Sequence, residues 1–350
     1  MPRIRSALAC AALALLAAMP AGTAAARDLT VVSWGGTYQD AQRQIFFEPF
    51  TAETGTKLVE DSWNGGVGTL RAKVEGGNAD WDVVQVEAEE LYLGCEEGLF
   101  ELMDFDAIGG KDIYMPAAVH DCGVGAIVWS TALAYDGDKM GANAPQSWAD
   151  FFDTAKFPGK RGLRKGPKYA LEFALIADGV PMEDVYKVLR TPEGVDKAFA
   201  KLGTIKNDIV WWEAGAQPPQ LLASGEVVMT SAYNGRITAA NKTDNRHFMI
   251  SWPGHVFAID SWVILKDSPN KDAGLKFISF AGDAARQAKL PPMVPYGVTN
   301  VGAAALIDPA VLPDVPTAPA NLEVGIAIDT EFWVDNIEKL TERFNAWVAQ

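Results

Sequence analysis

Short β-rich runs alternate with helical stretches along most of this chain, and that alternation restricts the fold more than any other feature. Residues 29–34 form a β-rich run ending in Trp34. Gly35 and Gly36 read as a turn, and Thr37 is placed to cap a helix running from Tyr38 to about Glu53. Pro49 is expected to kink or end that helix early, and Gly55 to stop it. Further strands are expected at 57–60, 82–86, 126–135, 209–210, 227–231 and 262–265, most of them separated by helical patterns. A last helix, 331–348, carries Phe332, Ile337, Leu340, Phe344 and Trp347 at helical spacing, which reads as a core-facing stripe. Alternating β and α units predict an α/β architecture with mainly parallel sheets. The chain has 350 residues, enough for two domains.

The first 26 residues read as a secretory leader rather than as part of the fold. Arg3 and Arg5 precede an apolar run over 7–19, and Ala24, Ala25 and Ala26 supply small residues for cleavage after Ala26. The run is shorter than the ~20 residues that span a bilayer. An exported, periplasmic protein is expected. Beyond the leader two cysteines remain, Cys95 and Cys122, and in an oxidising compartment an even pair reads as a disulfide. The formal charge of −15 disfavours nucleic acid and anionic lipid as partners, since both reward clustered Lys and Arg.

Enzyme signatures are missing. No G-x-S-x-G, H-E-x-x-H or G-x-x-x-x-G-K-[ST] motif occurs. His120, His247 and His255 lack metal-ligand spacing, so neither metal nor cofactor is expected. Aromatic and acidic residues instead collect at the ends of expected strands: Trp34 with Tyr38 beyond the turn, Glu87, Trp212 with Glu213, Tyr233, Asp260 and Tyr296. In open α/β sheets ligands bind beyond the carboxyl ends of strands. Aromatic faces attract an ammonium group, and a carboxylate gives it a charge-assisted hydrogen bond. The pattern describes a box for an amine.

The order and spacing of several stretches resemble one family: WGGTY at 34–38, PFTAETG at 49–55, WDVV at 81–84, SWADF at 147–151, FPGK at 157–160, ASGEV at 223–227, YNG at 233–235 and DSW at 260–262. The chain is similar to bacterial periplasmic solute-binding proteins of the spermidine/putrescine type, subunits of ABC importers. The resemblance implies a two-lobe periplasmic-binding-protein fold (type II) with the ligand cleft between the lobes. Residues 27–126 plus 256–302 would form lobe I, and 127–255 plus 303–350 lobe II. The chain would cross near 124–129 and return near 253–257. A monomer is expected, working with an ABC permease in the inner membrane and binding a small cationic or zwitterionic amine.

Carried over residue by residue, the resemblance makes Trp34 and Tyr38 an aromatic pair, Asp260 the amine's carboxylate and Tyr296 a wall. Tyr233 stands where the family usually has Trp, and Ala258 where polyamine binders carry another Trp. Trp262 either fills that gap or belongs to the core. Where polyamine binders hold the far amine with acidic residues, this chain has Arg164 and Lys165, followed by Tyr169 and Glu172, and Arg236 adds a cation. Two ligand classes stay open. A diamine such as putrescine, or a longer polyamine such as spermidine, suits Asp260 with Glu87 and Glu213. An ω-amino acid such as γ-aminobutyrate suits Asp260 opposite Arg236 or Lys165, with the 35–37 turn adding backbone N–H donors. A secreted enzyme or a chemoreceptor ligand carrier on the same fold is the alternative function.

Overall fold

The computed structural model describes residues 27–76 and 80–350, so the expected leader lies outside the described residues. Among the described residues ten strands are present: β1 (Leu29–Ser33), β2 (Leu58–Ser62), β3 (Val83–Val86), β4 (Val119–His120), β5 (Gly123–Asp136), β6 (Arg161–Arg164), β7 (Ile209–Trp212), β8 (Met229–Tyr233), β9 (Phe248–Ile264) and β10 (Gly325–Ala327). The path across the sheet is β2-β1-β3-β9-β5-β8-β6-β7, with β10 on β9 and β4 on β5. It joins two similar halves. β1, β2 and β3 are parallel in one half, and β6, β7 and β8 in the other. Between them β5 and β9 run antiparallel to each other through both halves. This is the periplasmic-binding-protein fold in its type II, two-lobe form. Residues of β1 and β3 such as Val31, Val32, Val83 and Val84 are completely buried, as expected of strands covered by helices on both faces.

Three local expectations are corrected. Thr37 does not cap the first helix, which begins at Gly36 after Gly35 and has no side-chain cap. Pro49 does not end it. Helical structure continues from Gly36 to Thr54 through a π-helical turn at Arg43–Phe47, and Pro49 falls in the first turn of the segment after it. There its missing N–H costs least, and the wider turn absorbs the ring. Gly55, at φ 73°, does stop the helix. Thirdly, β9 runs from Phe248 to Ile264, where a strand was expected only at 262–265 with a return crossing near 253–257. The ladder with β5 shifts register between Thr131↔Val256 and Leu133↔Ser251, so Pro253 sits inside a bulge where no ladder hydrogen bond is required.

Cys95 and Cys122 are joined in a disulfide with a Cα–Cα distance of 5.7 Å, tying the end of helix Ala88–Glu96 to the start of β5. His120 stands against it, all three ligand atoms lying within 4.8 Å of one another, but both sulfurs are spent in the S–S bond. Replacing both cysteines by serine should lower the unfolding free energy by about 2–5 kcal/mol. Thiol counting on the unreduced exported protein should find no free thiol; two reactive thiols would refute the linkage.

The terminal helix Thr330–Ala349 buries Phe332, Trp333, Leu340 and Phe344. Ile337 and Trp347 are only half-buried, Trp347 packing on Trp211 and Phe199. No helix of the described residues is long and apolar enough to cross a membrane.

Candidate functional site

The carboxyl ends of strands from both halves meet at one gap. Trp34 follows β1, Glu87 follows β3, Arg164 ends β6, Glu213 follows β7 and Tyr233 ends β8. Across the middle, Asp260 of β9 lies opposite Ile127 of β5, and Ala258 opposite Trp129. All of these except Ala258 line a cavity of about 40 Å³, together with Tyr38, Trp63, Asn64, Gly215, Arg236 and Tyr296. A single water needs roughly 10–15 Å³ on this measure, so the space suits a short chain of a few heavy atoms. It opens past Asn64, Glu87, Arg164 and Glu213 into a wider vestibule of about 410 Å³.

Asp260 is the acidic pole. It is 3% exposed. Its Oδ2 accepts from Trp34 Nε1 at 2.7 Å and Gln85 Nε2 at 3.2 Å, and its Oδ1 accepts from Trp129 Nε1. Burial first, and the negative charge of Glu87 second, push its carboxyl well above the usual range, while the two indole N–H bonds oppose the shift. A carboxylate has about four acceptor sites. An ammonium placed here would therefore find a free lone pair and relieve the buried charge.

Arg236 is the basic pole. Its Nη1 donates to the Gly35 carbonyl at 2.8 Å and its Nη2 to the Trp34 carbonyl at 3.0 Å, while its buried Nε has no hydrogen-bond partner. Gly36 has φ 58°, and a Cβ there would stand 2.7 Å from Arg236 Nη1, so glycine is what lets the guanidinium reach the turn. The Trp34 and Gly35 carbonyls thus face Arg236, while the Gly35 N–H donates to Gln39 Oε1 at 3.0 Å. Arg236 and Asp260 line the same cavity without forming an ion pair with each other.

Glu87 also faces the cavity, but its charge is answered. Lys168 Nζ donates to it, and Arg164 stands 3.7 Å away. Burial alone would raise the Glu87 carboxyl; the fields of Lys168 and Arg164 outweigh it and hold the group below its ordinary range. Glu90 completes a capping box with Glu87, accepting its backbone N–H at 2.9 Å, and is raised to about 7 by burial and by Glu87.

Aromatic rings brace these poles. Trp34 stacks on Trp63 with centroids 5.3 Å apart, Tyr38 meets Tyr296 edge-on at 5.2 Å, and Trp129 meets Tyr233 edge-on at 5.0 Å.

Eight of the nine expected ligand-binding residues line the cavity: Trp34, Tyr38, Glu87, Glu213, Tyr233, Arg236, Asp260 and Tyr296. Trp212 does not. It is buried behind Tyr233, edge-on at 5.5 Å. Glu172 also lies away from the cavity, accepting from Trp333 and Tyr186. Lys165 pairs with Glu213 at the rim, and Trp262 is core, packed edge-on against Phe277. The sequence reading missed Trp63, Asn64, Ile127, Trp129 and Gly215. Trp129 and Ile127 share a strand face, a period-2 signal, but their facing Asp260 depends on a β5–β9 register that no local pattern encodes. Trp129 takes the wall position that Ala258 leaves open.

A family model for bacterial extracellular solute-binding proteins matches residues 46–320. The chain belongs to that family. It is 50% identical over 335 residues to the gamma-aminobutyric acid-binding protein of Pseudomonas aeruginosa, covering 96% of this chain and 95% of the relative. Among solved structures it is similar to a GABA receptor, at 39% identity and TM-score 0.80, covering 92% of this chain and 98% of that one. It is likewise similar to the PBP MotA from A. tumefaciens B6 in complex with glucopine, at 31% identity and TM-score 0.86, covering 92% and 99%.

Proposed function

We propose that this protein is the periplasmic substrate-binding subunit of an ABC importer and that its cargo is an ω-amino acid of the γ-aminobutyrate type. The observation that carries the reading is the pair of opposite poles in one small cavity: Asp260 at one side, and at the other Arg236 with a buried, unpartnered Nε. The amine meets Asp260 between the Trp34 and Trp129 indoles, and the carboxylate meets Arg236. Glu87 does not act as a second amine site, because Lys168 and Arg164 neutralise it. The small volume favours a short zwitterion over a long polyamine. The relatives' ligands support the same class.

The leader is cleaved after Ala26, and the mature chain works as a monomer, with 27–126 plus 256–302 as one lobe and 127–255 plus 303–350 as the other. Arg236 reaching Trp34 and Gly35, and Lys168 reaching Glu87, are contacts between these lobes, so closure over the ligand and recognition by the permease are one event. The chain is read as binding its cargo, as its relatives are named binding proteins.

Titration of γ-aminobutyrate and of putrescine into ligand-stripped protein at one ionic strength tests the reading. The two differ mainly in a carboxylate replacing an amine. γ-Aminobutyrate should bind at least about tenfold tighter, since a second ammonium near Arg236 is repelled where a carboxylate gains charge-assisted bonds. Tighter binding of putrescine would overturn it.

A further inference from the structure

We infer that Lys168, which stands outside the cavity, sets the charge class of ligand that the cavity accepts; this rests on the zwitterion reading above. Lys168 is 6% exposed and lines the vestibule rather than the cavity. Its Nζ donates to Glu87 Oε2 and Glu89 Oε1. Glu87 is the only one of that pair that also lines the cavity. The next residue, Tyr169, has φ 71°, a conformation costly for a large side chain, at the N-terminal boundary of helix Ala170–Ala177. That strained corner lies where Lys168 reaches Glu87 and where the Tyr169 hydroxyl comes within 3.4 Å of the same oxygen. Backbone strain kept at a charge contact points to a position selected for what it does to Glu87.

Glu87 is the residue on which the ligand class turns. Left unanswered, it would stand as a second carboxylate beside Asp260 and give the cavity two acidic poles, the arrangement a diamine requires. Every charged group near it enters the balance. Arg164 is 3.7 Å away, but it lines the cavity and so also presents its own charge there. Glu89 shares Lys168, Glu90 shares the helix start, and Asp260 feels the field of Glu87. Lys168 is the cation that withdraws the Glu87 charge without itself meeting the ligand. It is therefore a positioning residue for specificity.

The test measures Kd for γ-aminobutyrate and putrescine by calorimetry in the mature protein and in Lys168→Met, Lys168→Arg and Glu87→Gln. Lys168→Met should move the affinity ratio toward putrescine by at least tenfold, and Lys168→Arg should keep the wild-type ratio. Glu87→Gln should move the ratio the other way, which keeps the inference testable if Lys168→Met does not fold. Equal weakening of both ligands in Lys168→Met would make Lys168 a mere latch between the lobes and overturn the inference, as would an unchanged ratio in Glu87→Gln. The wild-type ranking alone decides the zwitterion reading; the direction of the shifts decides the role of Lys168.

Discussion

Asp260→Asn should lower affinity for γ-aminobutyrate by about 2–5 kcal/mol, roughly thirtyfold to several thousandfold in Kd, while leaving the protein folded. Two losses act together. The ligand ammonium would be buried without an opposite charge. In addition, three N–H donors converge on the Asp260 carboxylate, from Trp34, Gln85 and Trp129, and the amide NH₂ of Asn would turn a donor toward one of them. The walls that grip the amine would then lose their anchor. The pH dependence has a definite sign. Burial and the Glu87 charge raise the Asp260 carboxyl in the free protein, so binding an ammonium displaces a proton. Affinity should therefore rise with pH while the free protein still holds that proton, and fall toward acid. Glu90, raised to about 7, adds a slope of its own near neutrality. Asp260→Asn should remove the larger slope and leave the smaller. Unchanged calorimetric affinity in the variant would remove Asp260 from the site.

What the sequence revealed of this site follows from which of its features are local. Trp34, Glu87 and Tyr233 were readable because each lies at the end of a short β-rich run, and strand ends in an α/β sheet converge on one gap. Trp129 was not readable in the same way. It lies in the middle of β5, and only the pairing of Trp129 with Ala258 brings its indole to Asp260. Trp212 misled for the opposite reason: β7 runs on through Trp212 rather than ending at 210, and since side chains alternate across a strand, Trp212 fell on the buried side behind Tyr233. Pro49 reads as a break and is not one, because a π-helical turn precedes it and it falls in the first turn of the next segment, where a missing N–H costs little. Lys168 was invisible for a third reason. A lysine in a loop is ordinarily a solvated charge, and only the tertiary contact with Glu87 and Glu89 buries it.

Arg236→Ala should weaken γ-aminobutyrate far more than putrescine, and the difference between the two ligands matters more than either loss alone. The guanidinium has two roles. Its Nη1 and Nη2 hold the Gly35 and Trp34 carbonyls across the gap, and in the proposed reading the guanidinium, whose buried Nε has no hydrogen-bond partner, also meets the ligand carboxylate. Loss of the first role weakens closure and therefore reduces affinity for any ligand. Loss of the second affects only a ligand with a carboxylate, whose charge would be left unpaired in a poorly hydrated cavity, at about 2–5 kcal/mol. Putrescine loses closure but is also freed from repulsion by a cation, so its net change should be small or even favourable. Arg236→Lys separates the two roles further: it keeps the charge but not the fork that spans two carbonyls while presenting a third N–H. Its affinity for γ-aminobutyrate should fall between those of wild type and Arg236→Ala. The measurement is a pair of Kd values per variant at fixed ionic strength. If Arg236→Ala weakens both ligands by the same factor, Arg236 is only a strut between the lobes and the carboxylate must be held elsewhere, with Arg164 as the remaining cation in the described cavity lining.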